Sequence, residues 1–261
     1  MFERLLLVVG NKFASFATGA DVVTLSQACD LIDMPQVSGS GHARIVLLPG
    51  QGLGDEALAG LIGRVACSPY GRHFDVEALR RRPARASRRL SHKHRPENTL
   101  ISEPRRVSED VFEMDLLIDE DGELMCDHQT GQHVQGMVLF EAARQSIMAV
   151  AEAFFLPQEG GGYAFVTNEM SSRYSRFAFP VDARVRYAIR EKEIANGRRM
   201  RFVADITVEQ CGVEAASFHT DVTVFEQTRI TRMEGAMARD TLSHHLAERA
   251  AEVHGELSAV A

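Results

Sequence analysis

The stretch CDHQTGQHVQGMVLFEAARQ, residues 126–145, places titratable side chains at the entry of an apolar segment. On a helix with 100° per residue, Glu141, Gln145 and Met148 lie close to one face, and Glu152 realigns with them three turns on. Most other positions from 136 to 155 are apolar, as expected of a largely buried helix. The sequence therefore predicts a long buried helix that begins near residue 136 and carries a carboxylate inward.

The start of this helix has features of a binding site. Gly136 has no side chain, so a ligand could approach the free N–H groups of the first turn, which together with the helix dipole suit a carbonyl oxygen or an oxyanion. His128 and His133 lie in the loop that enters the helix, and imidazole is the usual proton carrier near neutral pH. Spacing alone allows a plainer interpretation, in which Glu141 and Arg144 form an ordinary i,i+3 ion pair on the solvent-exposed side of the helix.

Composition limits the class of protein. The 261 residues carry 29 Lys and Arg against 36 Asp and Glu, a formal net charge of −7, which argues against wholesale nucleic-acid binding. Four widely spaced cysteines without a CxxC pair predict reduced thiols in the cytoplasm and no metal centre. The opening MFERLLLVVGNKF is interpreted as a first core strand, not as a signal peptide or membrane anchor. No cofactor is expected.

Residues 1–79 alternate strand-like and helix-like stretches, which predicts a small α/β unit. Within it, LLPGQGLGDEALAGLIG at 47–63 resembles a nucleotide-binding loop. Three glycines are spaced two residues apart, unlike the GxGxxG pattern: Gly50, Gly52 and Gly54. Asp55 and Glu56 would repel a pyrophosphate while suiting the helix dipole, so a plain helix start is favoured.

A basic run follows this unit. Residues 80–106 contain ten Lys or Arg and two acids, Glu97 and Glu103, a local charge of +8. Residues 80–91 are predicted to be a solvated basic linker, and the alternative is a docking surface for an anionic partner.

The second half of the chain has mainly strand patterns around the predicted helix. VFEMDLLID at 111–119 alternates like a strand, and ELMCDH at 123–128 is a candidate second strand. Four further strands are predicted after the helix: GYAFVTNEM, ARVRYAIREKE, RMRFVADITVEQ and VEAASFHTDVTVF. The turns at 195–197 and 210–212 fit hairpin connections. This order predicts an α+β fold in which an antiparallel sheet wraps around the helix, followed by a charged amphipathic helix in the tail, 227–261.

At these residues the chain resembles the A-factor biosynthesis hotdog family (AfsA-like proteins). DHQTGQHVQGMVLFEAARQ is close to the family pattern DHxxGxHVPGMxLxEAARQ, and HKHRPENTLIS at 92–102 is similar to the family's HK…EN-V/T-L opening. The stretch FVTNEMSSRYSRFAFPVDARV resembles the hotdog strand after the central helix. The resemblance covers roughly residues 90–226, and 92–226 is taken as the hotdog domain.

The resemblance implies acyl-thioester chemistry. In the family, a β-ketoacyl group moves from an acyl carrier protein to the hydroxyl of dihydroxyacetone phosphate, on the way to γ-butyrolactone signals. For this chain it implies an acyl thioester of acyl carrier protein or CoA and a phosphorylated small-molecule acceptor. The implied catalytic group is Glu141, His128, His133, Gly136, Arg144 and Gln145. The implied substrate-binding group is His92, Lys93, Arg95 and Asn98.

Glu141 is the expected general base, because apolar surroundings should raise its pKa. Two departures from the family pattern stand out. Gln135 replaces the usual proline, and the chain shows one hotdog unit where family members commonly carry two. The resemblance therefore implies a homodimer, or a divergent N-terminal unit in place of the second copy. The alternatives are a hotdog thioesterase, a 3-hydroxyacyl-thioester dehydratase, or a non-catalytic module that binds an acyl thioester or lactone.

Overall fold

The computed structural model describes residues 4–35, 44–126, 129–157, 162–195 and 199–259. Two sheets organise this part of the chain. Asp127, His128 and most of the predicted turn at 195–197 lie outside the described residues.

The first sheet is formed by the N-terminal unit and is entirely parallel, in the order β2-β1-β3-β4. Its strands are β1 (Arg4–Val9), β2 (Val22–Thr24), β3 (Ile45–Pro49) and β4 (Phe74–Asp75). Its helices are α1 (Leu25–Asp33), α2 (Asp55–Cys67) and the short α3 (Glu77–Arg80). Leu6, Val8 and Leu47 on the strands are buried in one cluster with Leu58 and Leu61 of α2. The predicted small α/β unit is therefore confirmed.

The second sheet is antiparallel and has the order β5-β6-β8-β9-β10-β7. Its strands are β5 (Arg105–Ser108), β6 (Val111–Asp115), β7 (Tyr163–Tyr174), β8 (Arg184–Ala195), β9 (Arg199–Gln210) and β10 (Val213–Glu226). The short helix α4 (Arg88–Ser91) and the long helix α5 (Gly136–Phe154) complete this unit. Val138, Leu139 and Ala142 of α5 are buried in one core with Tyr187 and Phe202 of the sheet. A sheet wrapped around one buried helix is the predicted hotdog arrangement.

Sequence alternation and turn chemistry set the register of the last two strands. Phe218, Val222 and Val224 of β10 face the core. Cys211 and Gly212, which join β9 to β10, have φ values of 50° and 74°, as the central residues of a two-residue type I′ hairpin require.

The loop after β3 attaches the first unit to the second. The buried Gln51 side chain donates to the Leu116 carbonyl at 2.9 Å and accepts from the Ile118 N–H at 2.8 Å. A Cβ at Gly50 would lie 2.7 Å from the Pro180 carbonyl oxygen, and one at Gly54 would lie 2.5 Å from a carboxylate oxygen of Asp119. These two glycines therefore allow close packing between the units.

The structure corrects the prediction that 80–91 is solvated throughout. The Arg85 side chain is only 6% exposed and donates to the carbonyls of Thr99 and Leu117. Ala86 and Leu90 belong to the hotdog core. The error arises because a guanidinium can be buried where several backbone carbonyls converge, which a local charge count does not reveal. The boundaries of the four predicted segments remain a prediction.

Two further expectations need correction. Glu123–Met125 form a 3-10 turn, not part of a strand. The tail is one helix, α6 (Gln227–Ala259), but it is not amphipathic along its length. Met233 and Leu242 are both exposed, and nine residues at 100° each place them on opposite sides of the helix. Among the described residues, no helix is both long and apolar enough to span a membrane.

Candidate functional site

Glu141 lies about one and a half turns into α5 and is held by three side chains. Lys93 Nζ lies 2.7 Å from its Oε1. Arg144 donates twice, from Nε to Oε2 at 2.7 Å and from Nη2 to Oε1 at 2.8 Å. Gln145 Nε2 donates to Oε1 at 3.1 Å. The carboxylate is thus enclosed by two cations and an amide, and its side chain is 15% exposed.

This environment overturns the expected raised pKa of Glu141. Burial by itself raises the pKa, but hydrogen bonds from Arg144, Lys93 and Gln145 outweigh it and hold the pKa of Glu141 below its usual value. The pKa of Arg144 is raised in turn by its hydrogen bond to Glu141. Glu141 is therefore ionised at neutral pH, and a carboxylate of low pKa is a weak general base. The geometry suits it better to positioning the two cations.

Gln145 joins α5 to the segment before β5. Its side chain is fully buried. Its Oε1 accepts from the Leu100 N–H at 2.9 Å, and its Nε2 donates to the Asn98 carbonyl at 2.9 Å. The Asn98 side chain accepts from the Glu123 N–H at 2.8 Å. These bonds bring the HKHRPEN segment, and with it Lys93, against the helix.

A small cavity opens beside this group. Its volume is about 140 Å³, and Lys93, Asn98, Leu100, Met125 and Glu141 contribute to its lining. A cavity of this size is comparable to one that holds a benzene ring, so it has room for a small polar headgroup. No sequence motif points to Met125, which the 3-10 turn brings to the cavity.

Two of the predicted substrate-binding residues lie elsewhere. His92 has a left-handed backbone, φ 54°, and its Nε2 lies 3.0 Å from Glu152 Oε1. Its ring also meets Phe165 edge-on, with 5.3 Å between the ring centroids. Arg95 forms an exposed pair with Glu123 at 3.2 Å. Lys93 and Asn98 therefore line the cavity beside Glu141, whereas His92 pairs with Glu152, further along α5.

The start of α5 is covered by an aromatic ring. The Tyr174 hydroxyl donates to the Gly136 carbonyl at 3.1 Å, and a Cβ at position 136 would lie 3.0 Å from the Tyr174 ring. His133 Nδ1 lies 3.2 Å from Thr130 Oγ1, and its ring centroid lies 4.6 Å from that of Phe177. The contacts described for His133 thus belong to the helix entry, not to the Glu141 group. Tyr174 could not be foreseen, because its approach depends on β7 lying beside α5.

The predicted His128 lies outside the described residues. Among the residues that the structure does describe, no three or more His, Cys, Asp or Glu side chains are grouped so that they could hold a metal ion.

The antiparallel sheet around α5 defines a hotdog protein. The family model of the A-factor biosynthesis hotdog domain (AfsA) matches residues 74–226, which is more than half of the chain. The protein belongs to this family. A comparison with curated proteins gives no match.

Solved structures are similar to part of the chain. A phenylacetic acid degradation-related protein from Ralstonia eutropha is 16% identical, with a TM-score of 0.36, over 46% of this chain and 82% of that one. The PaaI protein of Escherichia coli is 13% identical, with a TM-score of 0.33, over 46% and 80%. A thioesterase from Haemophilus influenzae is 15% identical, with a TM-score of 0.35, over 48% and 78%.

Proposed function

We propose that the protein is an acyltransferase that moves a β-ketoacyl or related acyl group from an acyl carrier protein or CoA thioester to a hydroxyl acceptor such as dihydroxyacetone phosphate. The product would enter γ-butyrolactone-type signal or secondary-metabolite biosynthesis. The observation that carries the proposal is the Glu141–Lys93–Arg144 group beside a cavity. Glu141 and Arg144 come from the stretch at 127–145 and Lys93 from the stretch at 92–102, the two stretches that resemble the family's patterns.

The thioester carbonyl would lie at the start of α5, where the N–H groups of Gly136 and Met137 would hold its oxygen. The half-exposed Tyr174 ring covers Gly136, so it would have to turn aside when the thioester binds. The acceptor oxygen attacks the carbonyl carbon, a C–O bond forms, and the C–S bond breaks. With Glu141 ionised and weakly basic, His128 or His133 takes the hydroxyl proton and returns it to the leaving pantetheine sulfur. One carboxylate between two cations leaves a charge of +1 on the Glu141–Lys93–Arg144 group, to which the phosphate of an acceptor would bind. Three further carboxylates line the cavity, Glu97, Asp119 and Glu123. Asp119 and Glu123 pair with Arg85 and Arg95, so the phosphate would lie on the Lys93 side of the cavity.

We also propose that the active form is a homodimer. Strand β7 is an edge of the second sheet, and exposed edges are available for pairing with another chain. Met137, Tyr174 and Phe177, which lie near this edge and the helix start, are 58%, 46% and 69% exposed. A monomeric mass in sedimentation equilibrium at assay concentration would contradict this. Neither nucleic acid nor membrane is a proposed partner, and a cytoplasmic location stays a prediction.

The test is acyl transfer from acyl-carrier-protein thioesters, followed by mass spectrometry with and without dihydroxyacetone phosphate. We expect an acyl ester that forms only with the acceptor. Glu141→Gln weakens the hold on Lys93 and Arg144, and we expect it to lower kcat/KM by about tenfold or more, equivalent to about 1.4 kcal/mol of transition-state stabilisation. Glu234→Gln, on the exposed part of α6, is the matched control.

Each rival has its own signature in this assay. Free acid released at the same rate without acceptor indicates a thioesterase. Loss of water from a 3-hydroxyacyl thioester indicates a dehydratase. Tight binding without turnover indicates a binding module. Full turnover by a folded Glu141→Gln variant removes this carboxylate from the mechanism.

A further inference from the structure

The loop that follows β1, residues 10–21, belongs to the first unit in sequence but packs against the second. Phe13 is fully buried in the hotdog core, in one cluster with Val138 of α5. The Phe16 ring stacks on that of Phe179, with 5.9 Å between the ring centroids. The loop is therefore anchored in the core of the second unit.

The carboxyl ends of β1 and β3 are occupied by the hotdog unit. In doubly wound sheets, ligands bind at the point where the strand order reverses, which here lies between these two strands. Glu120 Oε2 accepts from the Lys12 N–H at 2.8 Å, and its Oε1 accepts from the Asn11 side-chain amide at 3.3 Å. The Gly52 N–H, in the loop after β3, donates to the Ile118 carbonyl at 3.1 Å. This end of the parallel sheet thus serves to attach the first unit to the second.

The side chain of Lys12 makes a further contact with the hotdog unit. Its Nζ donates to the Glu120 carbonyl at 2.7 Å and to the Met125 carbonyl at 2.8 Å. These carbonyls lie at the two ends of the turn 120–125, whose second half is the 3-10 segment Glu123–Met125. An ammonium group has three donors, and a hydrogen bond from an ionised donor is roughly twice as strong as a neutral one. Lys12 therefore fixes the two ends of the turn relative to each other.

The same turn forms part of the cavity beside Glu141. Four of its residues contribute to the lining: Gly122, Glu123, Leu124 and Met125. A Cβ at Gly122 would lie 2.8 Å from the Glu97 carbonyl oxygen, so the turn packs directly on the segment that carries Lys93. Lys12 lies outside the lining. A shift of the turn would therefore change the shape of the cavity, although Lys12 does not touch it.

We propose that Lys12 is a positioning residue of the candidate site. From the first unit it holds the turn 120–125 in place and so sets the shape of the cavity beside Glu141. The first unit thereby has a role in the site without binding a ligand of its own. What the cavity binds rests on the proposed function, whereas the hold of Lys12 on the turn does not.

Hydrogen exchange resolved by peptide mass spectrometry measures this hold without a substrate. Lys12→Met keeps the aliphatic stem and removes the ammonium. Three amides form backbone hydrogen bonds within residues 119–126, those of Gly122, Met125 and Cys126. We expect them to exchange about tenfold faster in the variant, because opening of the turn no longer breaks two hydrogen bonds from an ionised donor. Lys192→Met is the matched control, since this lysine of β8 pairs with Asp110 instead, and it should leave these amides unchanged.

The kinetics of acyl transfer give the second readout. A cavity of altered shape holds the acceptor more weakly, so Lys12→Met should raise KM for dihydroxyacetone phosphate about fivefold and change kcat by less than about twofold. A variant that is only partly folded would instead lose kcat through its smaller active fraction and keep the parent KM. Lys12→Gln, whose shorter and neutral side chain replaces the ammonium, repeats both measurements should Lys12→Met not fold.

Three results would overturn the proposal. The first is unchanged exchange in the turn. The second is faster exchange spread equally over all peptides, which indicates global destabilisation. The third is a KM that stays at the parent value while exchange in the turn rises. If the parent protein shows no acyl transfer, the proposed function fails, and the exchange result still decides whether Lys12 holds the turn.

Discussion

Replacing Gln145 by leucine tests the bonding that holds the segment before β5 against α5. The amide is fully buried and makes three hydrogen bonds: from the Leu100 N–H, to the Asn98 carbonyl and to Glu141. Leucine fills a similar volume but replaces none of these bonds. The Leu100 N–H and the Asn98 carbonyl are then left without this partner inside the protein.

The expected loss in the free energy of unfolding follows from the unsatisfied Leu100 N–H and Asn98 carbonyl. Leaving a buried donor or acceptor unsatisfied costs about 1–3 kcal/mol each, or about 2–6 kcal/mol for both. Leucine recovers part of this through added apolar burial, so we expect the free energy of unfolding to fall by about 2–4 kcal/mol. Because Lys93 reaches Glu141 from the same segment, the variant should also weaken the Glu141–Lys93 pair.

Urea denaturation followed by circular dichroism measures this loss. Gln132→Leu, at an exposed loop position, is the matched control and should stay within about 0.5 kcal/mol of the parent. Gln145→Glu is a second variant, because its added oxygen faces the Asn98 carbonyl and the Glu141 carboxylate. Its stability relative to the parent should improve as acid protonates the new carboxyl group. If Gln145→Leu unfolds within 0.5 kcal/mol of the parent, the bonding described here does not hold the segment.

Two further predictions concern the same helix. Gly136→Ala should lower the free energy of unfolding by about 1 kcal/mol, because the new Cβ would lie 3.0 Å from the Tyr174 ring and displacing that ring breaks its hydrogen bond to the Gly136 carbonyl; thermal unfolding measures it. Glu141→Gln should cost most stability at neutral pH and less in acid. The folded-state pKa of Glu141 is lowered, so its contribution is complete above the unfolded value of about 4.3 and is lost as pH falls through the folded value.

Double variants and pH series provide the controls. Gly136→Ala in a Tyr174→Ala background should cost less than in the parent, because the ring that it crowds is gone; additive effects would contradict the contact. For Glu141, unfolding is compared with the parent at pH 7 and at successively lower pH. A difference that stays constant or grows on acidification would show that the pKa is not lowered.

Much of the hotdog unit could be predicted because its signals are local. The apolar face of α5, the alternation of β8 to β10 and the glycine after Cys211 are each set by neighbours within one element. Features that depend on distant neighbours were missed or misjudged. The 3-10 turn at Glu123–Met125 forms where Asn98 accepts from the Glu123 N–H, and Arg85 is buried because carbonyls from separate segments converge on it.

The sequence by itself determined the long helix, the strands β6 to β10 and the presence of a carboxylate on the inner helix. Only the tertiary structure decided what that carboxylate is. Lys93 lies far from Glu141 in the sequence, yet its Nζ lies 2.7 Å from the carboxylate. Together with Arg144 and Gln145 it lowers the pKa of Glu141, which was expected to be raised, so Glu141 is ionised between two cations. The close packing of Gly50 against Pro180 likewise exists only where the two units meet. Hydropathy periods are a property of neighbouring residues, whereas charge interactions and cavities depend on distances through space that a linear pattern does not contain.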